Sequence, residues 1–455
     1  MKILLRLALF PVVLVAGISS CSSDGHRTAQ EVTFNSVIAP LIHKQCSPCH
    51  HAGAGGPFDL ITYDDIVRHA PTIRLTVKER IMPPWPADPS YRHFHGEKVL
   101  SDSEIATICE WIDRGMPEGD PSKRPSAPFF HGSTVGKPDL IVRLSDIVRI
   151  AGDNKDRFYM MKVPIELDKD TFLRLIEIVP DNKKLVHHIN GHLVRYSDGK
   201  KSDLHKGVPY VDTEEHDKRA AYELLDLAND DGSYPVLTPS VTNYLPGVEP
   251  AVYANGIGGY RLSKKSVLLL DNLHYGPSPI DTNDRTTFNL FFQPKPPERP
   301  TAEFILGTSG ISPVLPPLVI QPGKVDTFTT RYRLQEDISL LTVNPHMHLL
   351  GKTFKAYALN PAGDTVPLIS IPRWDFRWQY FYTFEKMLHL KAGTTIIAEG
   401  VFDNTELNPL NPFHPPQIVS EREGSMRTTD EMFQLICTYL PYRTGDENLN
   451  LHPNE

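Results

Sequence analysis

Several short clusters along the chain carry side chains that could do chemistry, and the earliest is Cys46-Ser47-Pro48-Cys49-His50. Two thiols followed at once by an imidazole can form two thioethers to a porphyrin and one axial bond to its iron. C-x-x-C-H therefore predicts a covalently attached haem c. A zinc reading lacks a second cysteine pair. The sixth iron ligand must come from downstream. Met82, in Ile81-Met82-Pro83-Pro84-Trp85, sits on a stiff, extended proline turn and is the expected one. A thioether there would raise the haem potential. Met116, His93 and His95 stay open as alternatives.

Histidines gather at three later places: Val186-His187-His188-Ile189, Asn272-Leu273-His274-Tyr275-Gly276 and Pro345-His346-Met347-His348. Residues two apart on a strand point the same way, so His346 and His348 can approach one ion from one face. Neighbouring His187 and His188 diverge on a regular strand and converge only at a bulge or strand end. Neutral imidazoles suit copper and zinc alike. His192 lies close to the pair and reads as structural.

The elements that must position these groups change along the chain. Residues 34–42 read as an amphipathic helix feeding the haem motif. A second helix spans 101–114, opened by a capping box of Ser101 and Glu104 and buried through Ile105, Ile108, Cys109 and Ile112. Residues rich in Pro, Ser and Gly follow as a linker. Beyond it come strand-like runs at 139–142, 266–270 and 287–292, and a proline-laden break at 293–300 divides two β-rich stretches. The expected fold is multidomain: a small all-α cytochrome c domain (28–120), a linker (121–138), and two tandem antiparallel β-sandwiches, jelly-roll-like (139–297 and 298–446).

Composition narrows the function classes. With 47 basic against 55 acidic residues, and the basic ones dispersed, a nucleic-acid surface is not expected. Lys2 and Arg6 precede an apolar run at 7–15 and then Ile18-Ser19-Ser20-Cys21. The run is too short to span a bilayer and reads as an export signal. Its ending resembles the lipobox of bacterial lipoproteins, by which Cys21 would be lipidated. The expected address is a lipid-anchored, periplasm-facing protein of a Gram-negative envelope, on the outer rather than the inner membrane. Cys109 and Cys437 read as free buried thiols.

His346-Met347-His348-Leu349-Leu350-Gly351, taken with Thr428-Thr429-Asp430-Glu431-Met432, resembles the copper type II, ascorbate-dependent monooxygenases. Leu269–Pro277 matches the family's stretch around a third histidine, and the resemblance extends over about residues 139–445. It implies two copper ions, one per sandwich. His187, His188 and His274 would bind the electron-transfer copper. His346, His348 and Met432 would bind the catalytic, oxygen-binding one. Three imidazoles can hold both copper oxidation states, whereas a thioether favours soft Cu(I).

Peptide-hydroxylating members carry an Arg ahead of H-x-H; here Asn344-Pro345 stands there, and Gln434 and Ile436 replace an Asn and a Tyr. A carboxylate clamp needs guanidinium geometry, so peptidylglycine is not the expected substrate. Trp374, Phe376, Trp378, Tyr380 and Phe381 read as sandwich core, with an apolar pocket as the alternative. The expectation is an oxygen-dependent hydroxylase of a small organic molecule, fed with electrons through its own haem by an ascorbate-like reductant or a redox protein. A non-catalytic haem and copper carrier is the rival.

Overall fold

The computed structural model describes residues 31–130, 135–144, 146–248, 250, 252–253, 256–422 and 427–451. Cys21 and the export segment lie outside them. The described body is mostly β, preceded by a helical unit.

In the helical unit a π-helical turn, Phe34–Ile38, runs into α1 (Ala39–Gln45), where Pro40 occupies the first turn. Sequence periodicity did not reveal α2 (Tyr63–Lys78). Pro71 inside it reads as a breaker, yet Ile66, Ala70, Ile73 and Val77 form a buried stripe and Thr62 with Asp65 makes a capping box. α3 (Asp102–Asp113) is capped by Ser101 and Glu104, as the sequence predicts. Phe34, Ile38, Ile66, Ile73, Ile108 and Trp111 share one core. The Trp111 indole N–H is satisfied by the Pro117 carbonyl at 3.0 Å.

The first β unit is built from two antiparallel sheets. One holds β1 (Arg157–Glu166), β2 (Val186–Arg195), β3 (Val236–Tyr244) and β4 (Lys265–Tyr275), with β4 between β1 and β2, and β3 outside β2. The other is centred on Thr171–Val179 and Thr287–Gln293. Met161 and Leu268 from the first sheet and Leu173 and Ile176 from the second share one apolar core. Two sheets facing across a core is the arrangement that alternating apolar strands require.

The second unit repeats the plan. β5 (Ala302–Gly307), β6 (Ile338–Met347), β7 (Tyr382–Leu390) and β8 (Phe433–Pro441) form a sheet in the order β5-β8-β6-β7. It packs on a five-stranded sheet that contributes Phe354, Ala356 and Ala398 to the shared core.

The helical unit is not a bead on a string. Its loop after α2 sends Ala87 and Phe94 into the core of the second β unit. Asp88 N–H donates to Ser370 O and His95 N–H to Thr383 O, each at 2.8 Å. Tyr380 Oη donates to Pro84 O at 2.6 Å.

The proline-laden stretch between the β units ends at Arg299, which is tied into the second unit by a buried pair. Its guanidinium reaches both oxygens of Asp446, at 2.6 and 2.8 Å. Burial raises the Asp446 carboxyl, but Arg299 and Ser339 outweigh it and hold the group at about 2. A carboxyl held below its unfolded value of about 3.9 contributes stability above that pH and loses it as pH falls toward the folded value. Asp446→Asn should therefore cost about 3–5 kcal/mol at neutral pH, because it leaves a buried guanidinium uncompensated. Denaturant titration should show that deficit shrinking below about pH 4.

Candidate metal centres

His187 and His188 open β2, where the pairing with β4 slips between Val186 and His188 and again between His188 and Gly191. That irregularity turns two adjacent side chains toward one place, as a bulge at a strand end can. His274, near the end of β4, is the register partner of His188. The His274 ring centre lies 4.8 Å from that of His187 and 5.0 Å from that of His188. Two imidazoles that share one ion at roughly 2.0–2.1 Å bring their ring centres to about that separation.

Hydrogen bonds decide which nitrogens are free. His188 Nε2 meets Asn272 Oδ1 at 3.2 Å, and His274 Nε2 meets Asp156 Oδ1 at 2.7 Å. The Nδ1 atoms of both rings are buried with no partner. A buried ring nitrogen without a partner is costly unless another group satisfies it. Gly276 leaves room for the third ring, since a Cβ there would lie 2.7 Å from His187 Nε2.

The second cluster lies where β6 ends and β8 begins. The pairing of β6 with β8 ends at Met347 and Phe433, with His348 following the first and Met432 preceding the second. The His346 and His348 ring centres are 5.0 Å apart. Here the opposite nitrogens are anchored: His346 Nδ1 bonds to Gln379 Oε1, and His348 Nδ1 to Asp430 O at 2.9 Å. His348 has a further backbone hydrogen bond, with Arg427. Met432 is 8 % exposed, so its thioether is inside the protein.

Sequence reasoning missed what holds this turn. Glu431 is fully buried, and its carboxyl accepts the backbone N–H groups of His348 at 2.9 Å, Leu350 at 2.7 Å and Met432 at 3.3 Å. Burial pushes that carboxyl up to about 8 against the pull of the three donors.

Burial also disfavours the charged form of four histidines in the two clusters. It lowers His187 to about 4, His346 to about 3 and His348 to about 4, and takes His188 well below its ordinary value. Neutral imidazole is the metal-binding form. His192 differs: burial lowers it, but Asp271 outweighs that and raises it to about 9. Both its nitrogens are used, on Asp271 and on Thr238 O.

Phe376 links the clusters. Its ring centre is 6.3 Å from His188, 6.2 Å from His274 and 5.6 Å from His348. Trp374 and Tyr380 do join the sandwich core, whereas Phe376 stands between the two sets of imidazoles. Asn344, at the place of the missing cation, spends its amide on Tyr380 O at 2.9 Å.

At the haem motif, Cys46, Cys49 and His50 share one turn and both thiols are free. Burial pushes the Cys46 thiol up to about 12. His50 Nδ1 bonds to Phe58 O at 3.0 Å, leaving Nε2 for an axial role. Met82 is half-buried and lines a cleft of about 610 Å³ with Val77, Trp85, Lys98 and Leu100; the Cys46–His50 turn is outside that lining. Met116 packs against the helical core. His93 is exposed and pairs with Glu97, and His95 is half-buried on the second β unit. His69 stacks on Phe58 at 3.8 Å beside His50, a neighbour that spacing did not suggest.

Among the described residues, no three His, Cys, Asp or Glu side chains are already drawn together as a cage for an ion. Imidazole and thioether are donor types that suit copper, and imidazole suits zinc as well.

No family model matches the chain. No curated protein matches it either. Among solved structures, that of infectious bursal disease virus Gt strain is 10 % identical over 69 % of this chain and 84 % of its own, with a TM-score of 0.15. Broad bean stain virus is 10 % identical over 71 % and 94 %, with a TM-score of 0.20. Likeness at that level carries no argument about fold or function.

Removal of the Glu431 carboxyl tests the turn. Glu431→Ala strands three backbone donors and should cost roughly 2–4 kcal/mol in denaturant titration. Glu431→Gln, which keeps an acceptor oxygen, should lose less.

Proposed function

We propose that this chain is a copper-dependent monooxygenase whose electrons arrive through a haem c on the same polypeptide. In this reading it comprises a cytochrome c domain followed by two jelly-roll-like copper domains. One observation carries the reading: the two histidine clusters are anchored through opposite ring nitrogens. In the first, Nε2 is anchored and Nδ1 is orphaned on His188 and His274. In the second, Nδ1 is anchored on both rings, and Met432 directly precedes the strand paired with theirs.

His187, His188 and His274 would hold one copper, and His346, His348 and Met432 the other. Bound copper would supply one-electron redox cycling and the activation of O2, and bound haem would supply single electrons. The protein's own part is to position and to insulate. Asn272, Asp156, Gln379 and the Asp430 carbonyl fix the ring orientations, as partners behind metal ligands do. Phe376, only 6 % exposed, would set an apolar ring between the two metals. The reaction would consume O2, two electrons and two protons, giving a hydroxylated product and water. With no guanidinium at Asn344, the substrate is a small organic molecule without a carboxylate that must be clamped. Cys46, Cys49 and His50 would hold the haem, with Met82 as sixth ligand. Lipid at Cys21 would tether the chain to the periplasmic face of the envelope.

Copper analysis of haem-loaded, copper-saturated protein should give two coppers per haem. His188→Ala or His274→Ala should remove one, and His348→Ala or Met432→Ala the other. Metal content unchanged in all four variants would remove the basis for the proposal. Two retained coppers without O2 consumption on any reductant would favour the carrier alternative.

A further inference from the structure

The haem-attachment turn lies directly on the end of the sheet that carries the first histidine cluster. Cys49 Sγ is 3.6 Å from the carbonyl of Pro246. A Cβ on Gly247, whose φ is +72°, would collide with that same sulfur, so only glycine allows the approach. Lys98 Nζ donates to Gly247 O across the same seam. On the other side of the turn, a Cβ on Gly55 would lie 2.9 Å from Lys183 O and 3.3 Å from Pro246 Cβ.

These contacts fall at one place in the fold. Lys183 belongs to the turn entering β2, and Pro246-Gly247 follow the exit from β3. β2 and β3 are paired with Ile189 opposite Tyr244. His188 is the residue before Ile189, and His274 is its partner on the other flank. From the Cys49 sulfur the contact runs through Pro246, Leu245 and Tyr244, then across one ladder step to Ile189 and His188.

A second contact joins the helical unit to the other cluster, from Pro84 O to Tyr380 and so to Gln379 and His346. It begins at a carbonyl two residues beyond Met82. The first begins at a sulfur that haem attachment would make part of the haem itself, and it ends at the all-imidazole set suited to holding an electron.

We propose that the contact of Cys49 with Pro246-Gly247 is where electrons leave the haem for the His187/His188/His274 centre. The proposal rests on the haem and copper reading above. Through this contact one electron passes per event: ferrous haem becomes ferric, one cupric ion becomes cuprous, and no proton moves and no bond changes.

The test uses the full-length protein with its haem reduced and its copper cupric, without O2, followed by haem absorbance in a stopped-flow instrument. Wild type should show rapid haem oxidation. His346→Ala, with only the first centre intact, should keep that phase, and His188→Ala should lose it. Gly247→Val, which wedges the Cys49 turn away, should slow it with haem spectrum and copper content unchanged. If Gly247→Val does not fold, the two histidine variants still decide. A rapid phase lost in His346→Ala and kept in His188→Ala would overturn the route and leave the monooxygenase reading standing. Full-length protein that takes up haem but no copper would overturn both.

Discussion

An imidazole sealed inside a protein has two ring nitrogens to satisfy, and the partner taken by one of them decides what the other is free to do. This constraint organises both β units. In the first, a carboxylate and an amide on neighbouring elements take the Nε2 atoms of His274 and His188, and the Nδ1 atoms are buried without partners. In the second, Gln379 and the Asp430 carbonyl take Nδ1 instead. His192, only four residues beyond His188, shows the contrast: with both nitrogens spent on Asp271 and Thr238 it is a charged structural group. The strand bulge, the register and the buried Glu431 all serve to hold those rings where this division of nitrogens works.

The loop between the strand Thr365–Ile371 and β7 is the element on which the three units meet. Its Phe376 ring touches imidazoles of both clusters, its Gln379 fixes His346, and its Tyr380 hydroxyl grips the Pro84 carbonyl of the helical unit. Trp85 packs on Tyr380 and Tyr382 at ring separations of 5.2 and 5.3 Å. Aromatic contacts of this kind add about 0.5–1.5 kcal/mol each beyond the area they bury. The helical unit is thus held against the clusters by packing, not only by its linker.

Much of the candidate site was legible because its residue patterns are local. C-x-x-C-H and H-x-H declare themselves within a few residues, and the strand runs at 266–270 and 287–292 carry their own period. The convergence of His187 and His188 was foreseen only as a condition, a bulge at a strand end, which the β2–β4 pairing meets. What was not legible depends on contacts far apart in sequence. Phe376 reads like any sandwich aromatic until the fold sets it among three histidines, and Glu431 looks like a surface residue beside Asp430 until its carboxyl is found on three backbone amides. α2 was assigned no element from the sequence, although Ile66, Ala70, Ile73 and Val77 carry a helical period around Pro71. The insertion of Ala87 and Phe94 into the second β unit leaves no local signal at all.

The central claim is that the two histidine clusters are two separate copper centres divided by Phe376. Anomalous diffraction at the copper edge, from crystals of copper-loaded protein, tests it most directly. Two peaks are expected: one among His187, His188 and His274, against Nδ1 of the last two, and one against the Nε2 atoms of His346 and His348 with Met432 beside it. A single peak shared between the clusters, or copper bound at neither, would contradict the account.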